Sequence, residues 1–220
     1  MSPTVTILLL WLAFAGSHLT LSSVPVRRAL VARTGEDAFR GVYSLIALAI
    51  FVPLVWTYFH HKHAGPWLWT LSLGPALRWA IYAAMGFAFV LIVGGFLRPS
   101  PAAVIPGDPR PRGVYRITRH PLFMGLALFG TLHLLPNGST ADVAFFGGFP
   151  VFALIGAAHQ DRRKLATDPK FRAFYDATPF LPFTSATALQ GVRELLPVAA
   201  VIGVALTVVV RWFHTSWFGG

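Results

Sequence analysis

Six apolar stretches recur along the chain, at about residues 4–22, 42–59, 77–97, 121–136, 143–160 and 194–213. A bilayer core about 30 Å thick takes about 20 helical residues, with about 17 as the lower limit. In hydrocarbon every backbone N–H and C=O needs a partner within its own segment, so such stretches fold as helices. The fold class is therefore all-α: a polytopic membrane helix bundle of about six transmembrane helices, forming a single domain over residues 1–220. The first, third and sixth stretches are long enough outright. The second, fourth and fifth are short, and either extend into polar flanks or tilt. Pro53, inside the second, is placed to kink it. The first has no Lys or Arg ahead of it and no small-residue cleavage site behind its core, so a retained helix is expected rather than a signal peptide.

Charge supports the same architecture. Only 12% of residues are charged, against about a quarter in soluble domains. Lys and Arg nevertheless outnumber Asp and Glu by 18 to 8. Arg27, Arg28, Arg33 and Arg40 lie in the first connection, Arg98, Arg110, Arg112, Arg116 and Arg119 in the third, and Arg162, Arg163, Lys164, Lys170, Arg172 and Arg193 in the fifth. Lys62, Arg78 and Arg211 lie on the other side. A bias of fifteen to three puts the odd connections in the cytoplasm and both termini outside. Topology thus accounts for the basic excess: membrane lipid is the expected partner, and nucleic acid is not.

Two connections have their own character. "LRPSPAAVIPGDPRPRGVYRITRHP" holds six prolines from Pro99 to Pro121 and reads as an extended, stiff connector rather than a helix. "DRRKLATDPKFRAFYDATPFLPF" is amphipathic. Its Leu165, Phe171, Phe174 and Tyr175 are set to face the membrane, and its Arg162, Arg163, Lys164, Lys170 and Arg172 to meet headgroups, which predicts an interfacial helix.

Chemistry must come from a restricted set of side chains. Cys is absent, so metal ligands can only be His, Asp, Glu or Met. His18, His120, His133 and His159 lie within the apolar stretches or at their ends. Ionisable groups there are costly and by default functional. Neutral imidazole enters lipid more easily than a carboxylate, and it ligates iron, copper and zinc. Small residues precede three of the four: Gly16 and Ser17, Gly130 and Thr131, and Gly156, Ala157 and Ala158. They let helices approach closely or leave room for a flat cofactor. Each histidine also has a structural alternative: a carbonyl bond for His18, an interfacial position for His133, a helix cap for His120, a membrane-edge contact for His159. His60, His61 and His63 read as a solvated outer loop, and His214 as part of an interfacial belt. Asp161 is placed to pair with Arg162 and Arg163, or to neighbour a propionate or phosphate.

Taken together, "RHPLFMG", "HLLPNGS" and "GAAHQDRR", with the earlier "GSHLTLSS" and the "RR" after it, resemble the NnrU family of membrane proteins across nearly the whole chain. That family is linked to nitrite and nitric oxide reduction. It is similar to the plant and cyanobacterial 15-cis-ζ-carotene isomerases, membrane enzymes that use haem b. The resemblance implies His18 and His133 as axial ligands. It also implies Arg119, Arg162 or Arg163 against propionates, His120 and His159 near the cofactor, and a lipid-soluble or small gaseous substrate. An unidentified redox partner and a bacterial inner membrane go with it. A cysteine that the isomerases carry three residues before their second ligand is Gly130 here. Helical rise sets His18 and His133 about 9 Å apart in depth and brings His159 nearer to His18, whereas the resemblance favours His133. "GVYRITRHPLFMG" alone also resembles the isoprenylcysteine and phospholipid methyltransferases. That alternative implies S-adenosylmethionine at a cytoplasmic site with Arg119 and His120, although their paired glutamates are replaced here by His159-Gln160-Asp161.

Overall fold

A computed structural model of the chain describes residues 1–103, 107–108 and 110–218. Among the described residues no strand forms beyond an isolated bridge between Trp67 and Ser139. The helices are α1 (Pro3–Ser22), α2 (Val24–Thr34), α3 (Glu36–His60), α4 (Pro75–Leu97), α5 (Val114–Ile117), α6 (Pro121–Leu134), α7 (Thr140–Thr167), α8 (Phe171–Ala177), α9 (Ala188–Arg193) and α10 (Pro197–Phe218). Among the described residues five of them, α1, α3, α4, α7 and α10, are long and apolar enough to cross a membrane, and α6 is a shorter apolar helix. The chain is thus an all-α, multi-pass membrane protein.

Of the three short stretches, two lengthen and one does not. α3 reaches 25 residues and α7 reaches 28 by taking in polar flanks. α3 carries Pro53 within its length. α6 keeps 14 residues, about 21 Å of helix. Pro121 opens α6, where its missing N–H costs nothing. The turn at Pro136-Asn137-Gly138 follows its other end, where Trp69 Nε1 donates to the Leu134 carbonyl at 2.9 Å. A Cβ at Gly138 would lie 2.1 Å from the Trp69 carbonyl oxygen, so only glycine permits this approach.

The chain divides into two compact units, residues 1–71 with 134–148, and residues 72–133 with 149–220. In the first, α1 packs along α3. Trp11 is buried and donates through Nε1 to the Phe145 carbonyl at 3.1 Å. In the second, α4 packs along α10. Beside that pair lies a core of Leu91, Tyr115, Ile117, Met124, Phe171 and Phe174.

Three sequence expectations change. Residues 24–34 of the first basic connection form α2, which Arg27 ties to α3 by pairing with Glu36, a carboxylate that Arg40 of α3 also contacts. The proline-rich connector contains one helical turn, α5, started where Gly113 takes φ +56°. Gln160 Nε2 and Lys164 Nζ donate to the carbonyls of Ala102 and Pro101, at 3.2 and 3.0 Å, and so hold the connector to α7. Its Val104, Ile105, Pro106 and Pro109 lie outside the described residues. The predicted interfacial helix is divided. Residues 161–167 continue α7, and α8 docks inward, with Phe171 0% and Phe174 1% exposed in the core. An amphipathic pattern cannot tell a membrane-facing helix from one facing protein, because both bury the same stripe.

Two tests follow from this packing. A Cβ at Gly203 of α10 would sit 2.8 Å from the Val90 backbone nitrogen, whereas one at Gly86 of α4 meets Thr207 at 3.6 Å. Thermal unfolding in detergent should show Gly203→Ala losing about 1–3 kcal/mol, and Gly86→Ala neutral or stabilised by up to about 1 kcal/mol. At the start of α5, Arg116 Nε donates to Glu194 at 2.9 Å and the Gly113 N–H at 3.1 Å, holding this carboxyl below its usual range. A carboxyl lowered by folding contributes stability above its unfolded value of 4.5 and loses it as pH falls through the lower folded value. The pair is partly exposed, so Glu194→Gln should remove about 0–1 kcal/mol at neutral pH and no more than that on the acid side.

Candidate functional site

The segment Thr118-Arg119-His120 builds the most enclosed polar site of the second unit. Thr118 is extended, with φ −159° and ψ 144°, and Pro121 disfavours helical geometry at His120. The chain therefore cannot run straight from α5 into α6. Its edge pairs instead with residues 178–183: the Arg119 N–H donates to the Pro179 carbonyl at 2.8 Å, the Thr118 hydroxyl to Phe180 at 2.6 Å, and the Phe183 N–H to Ile117 at 3.2 Å. That strap turns both ionisable side chains toward α7.

There they meet Asp161. Arg119 Nε donates to Oδ2 at 2.8 Å and His120 Nε2 to Oδ1 at 2.9 Å, so the two carboxylate oxygens serve different elements. Exposure is 8% for Arg119, 3% for His120 and 5% for Asp161. Arg119 Nη1 also donates to the Thr178 carbonyl at 2.6 Å, and the guanidinium lies 4.2 Å above the Tyr175 ring. Asp161 therefore does not pair with Arg162 and Arg163, as the sequence suggests. Those two point elsewhere on α7, Arg162 exposed and Arg163 half-buried. A methyltransferase site would need Arg119 and His120 turned toward a ligand, and here both are buried against Asp161.

The remaining histidines are held differently. His18 of α1, in the first unit, places Nδ1 2.8 Å from the Phe14 carbonyl, with its ring 4.0 Å from Phe14 and 5.1 Å from Tyr43. His133 of α6, in the second unit, repeats the arrangement: Nδ1 is 2.8 Å from the Phe129 carbonyl and the ring 4.3 Å from Phe129. A carbonyl can only accept, so Nδ1 carries the proton in both rings and Nε2 is the basic nitrogen, the tautomer a metal requires. His159 is half-buried on α7, one turn before Arg162 and Arg163.

Sequence reasoning missed two arrangements. His63 is not merely part of a solvated loop: its Nδ1 lies 2.9 Å from Asp142, whose fully buried carboxylate also accepts from Tyr58 at 2.9 Å. The apolar setting of Asp142, "STADVAFF", was the available signal, since a lone acid there needs donors. His214, assigned to an interfacial belt, has its ring 6.5 Å from that of His133.

The sequence matches the NnrU protein family over residues 6–220. This chain belongs to the NnrU family. It is 30% identical over 206 residues to the chloroplastic 15-cis-zeta-carotene isomerase of Arabidopsis thaliana, a match covering 89% of this chain and 53% of the relative. The corresponding protein of Zea mays is 27% identical over 205 residues, with the same coverage. The NnrU-family chain thus spans about half the length of the curated relatives it matches. No solved structure matches it at a significant level.

Removing one member of the Asp161 cluster should destabilise the protein sharply. Asp161→Ala leaves Arg119 and His120 buried without their carboxylate, a loss of about 3–5 kcal/mol, read as a lower unfolding midpoint in detergent. Arg119→Met combined with Asp161→Leu should recover part of it, because no uncompensated charge then remains inside.

Proposed function

We propose that this NnrU-family chain is a membrane enzyme of the isomerase type, which binds haem b and rearranges a cis double bond in a lipid-soluble polyene. The observation that carries the reading is the similarity to 15-cis-zeta-carotene isomerases along 89% of the chain. The nitrite and nitric oxide role implied by the family resemblance would use the same cofactor, and the isomerase similarity favours the polyene over a small gas. Five membrane-length helices suit a substrate delivered from lipid. The excess of basic residues in the odd connections supports periplasmic termini in a bacterial inner membrane, and the redox partner is unidentified.

Donor chemistry supports the cofactor. Haem asks the protein only for axial ligands. His18 and His133 are the pair that the resemblance implies, and each offers Nε2 from a ring fixed through Nδ1. His60 makes the same bond to Trp56, but at the exposed end of α3. His18 and His133 differ in being half-buried on apolar helices. Bound there, haem would supply an iron whose oxidation state and axial position can both change.

The other residues take supporting parts. Arg119 and His120 are positioning residues that hold the start of α6 against α7 through Asp161. Arg119 gives Nε to Asp161 and Nη1 to Thr178, so Arg162 and Arg163 are the arginines this reading proposes for the propionates. His159, on the same helix, is a further imidazole for the cofactor's surroundings.

Purified protein in detergent, incubated with a 15-cis polyene and followed by chromatography of the isomers, tests this. Conversion is expected in the reduced protein, with little in the oxidised one, and should be lost in His18→Ala and His133→Ala. No conversion by the wild type, or wild-type rates in both variants, would overturn the reading.

A further inference from the structure

In the second unit, the end of α4 and the start of α10 frame a cleft that the haem reading does not use. Gly94 and Arg98 line it from the end of α4, Arg112 and Gly113 from the connector, and Glu194 and Ala199 from the approach to α10 and its first turn. Its space is about 220 Å³ including the open mouth. Both arginines are exposed. Glu194 spends its carboxylate within the protein, accepting from Arg116 and the Gly113 N–H on Oε2 and from Gln190 at 2.7 Å on Oε1. Asp108, the other acid close by, takes the Arg110 side chain on both oxygens. Among the described residues, Arg98 and Arg112 are thus left without an acid bonded to either guanidinium.

Three features make this positive spot more than a solvated edge. Two planar guanidiniums on one cleft suit a phosphate, which each can grip through two N–H groups. The first turn of α10 adds backbone donors. Pro197 has no N–H, and the Ala200 N–H makes the first helical bond, to Leu196, so the N–H groups of Val198 and Ala199 precede it. Large apolar side chains also stand exposed on both sides: Phe96 and Leu97 at the end of α4, Val198 and Val201 at the start of α10. Both helices are of membrane length, so these side chains meet acyl chains where the arginines meet headgroups. Basic pockets between membrane helices on the cytoplasmic side take anionic lipid headgroups, and the charge bias puts this connection on that side.

We propose that Arg98 and Arg112 form a binding site for the phosphate headgroup of an anionic phospholipid. The phosphate stands at the mouth of the cleft between the two guanidiniums, and the acyl chains run along the exposed apolar residues of α4 and α10. A dissolved phosphate would satisfy the arginines and leave that apolar rim uncovered, so lipid is the occupant. The site borders the Arg116–Glu194 pair that joins α5 to the end of α9, and a bound lipid should therefore stabilise the second unit. The assignment is independent of the haem reading.

Native mass spectrometry of the full-length protein, delipidated in detergent and titrated with phosphatidylglycerol or phosphatidylcholine, tests this, with inorganic phosphate as a competitor. The wild type should retain a single phosphatidylglycerol well ahead of phosphatidylcholine, and phosphate at equal concentration should not displace it. Arg98→Gln combined with Arg112→Gln should weaken phosphatidylglycerol binding about tenfold or more, and each single variant should weaken it by less. Arg28→Gln combined with Arg33→Gln removes the same charge from exposed positions on α2 and should bind as the wild type does. Equal affinity for the two lipids, undiminished binding in the Arg98 and Arg112 double variant, or an equal loss in the α2 pair would overturn the site. Displacement by inorganic phosphate would overturn the lipid assignment. If the double variant does not fold, the two single variants decide in its place, and unaltered binding in both overturns the proposal.

Discussion

Asp161 receives Arg119 on one carboxylate oxygen and His120 on the other, with each of the three residues less than a tenth exposed. A single charge in such surroundings would cost several kcal/mol, and the arrangement persists because each polar group finds its complement. The consequence is mechanical. Thr118 is extended and Pro121 disfavours helical geometry at His120, and the ion pair fixes this segment against α7. It therefore sets where α6 begins and, twelve residues on, where His133 stands. The candidate ligand is positioned by a contact that is itself no part of the cofactor chemistry.

The same need for partners orders the histidines. A ring nitrogen on an apolar helix finds a carbonyl one turn back, as at His18 and His133. That bond fixes the tautomer and leaves the other nitrogen basic. Where an acid is at hand the outcome differs: His120 and His63 direct a nitrogen to Asp161 and Asp142. His18, His133, His120 and His63 are thus distinguished by the partner that lies nearest each ring. Those backed by a carbonyl keep Nε2 as the basic nitrogen, and those backed by a carboxylate hold elements together.

Much of this was legible in the sequence, for particular reasons. Apolar runs of membrane length admit little besides helix, so the bundle follows from hydropathy alone. The family motifs lie in order along the chain, and they led to His18 and His133. What escaped was pairing over distance. Asp161 stands beside Arg162 and Arg163 in sequence yet bonds to residues about forty positions earlier, because a helix directs neighbouring side chains to different faces. Phe171 and Phe174 turn into the core for a related reason: periodicity marks the buried stripe and is silent about what covers it. His63 and His214 were assigned by their neighbours in sequence, whereas their partners come from other helices.

If imidazoles of this chain hold an iron macrocycle, the purified protein should carry it in fixed proportion. Haem content per chain, measured as the pyridine complex after expression with haem precursor, tests that most directly. The account predicts close to one haem b per wild-type chain and a large loss when His133 is replaced. A wild-type protein that folds and purifies without haem and takes none up on addition would contradict it.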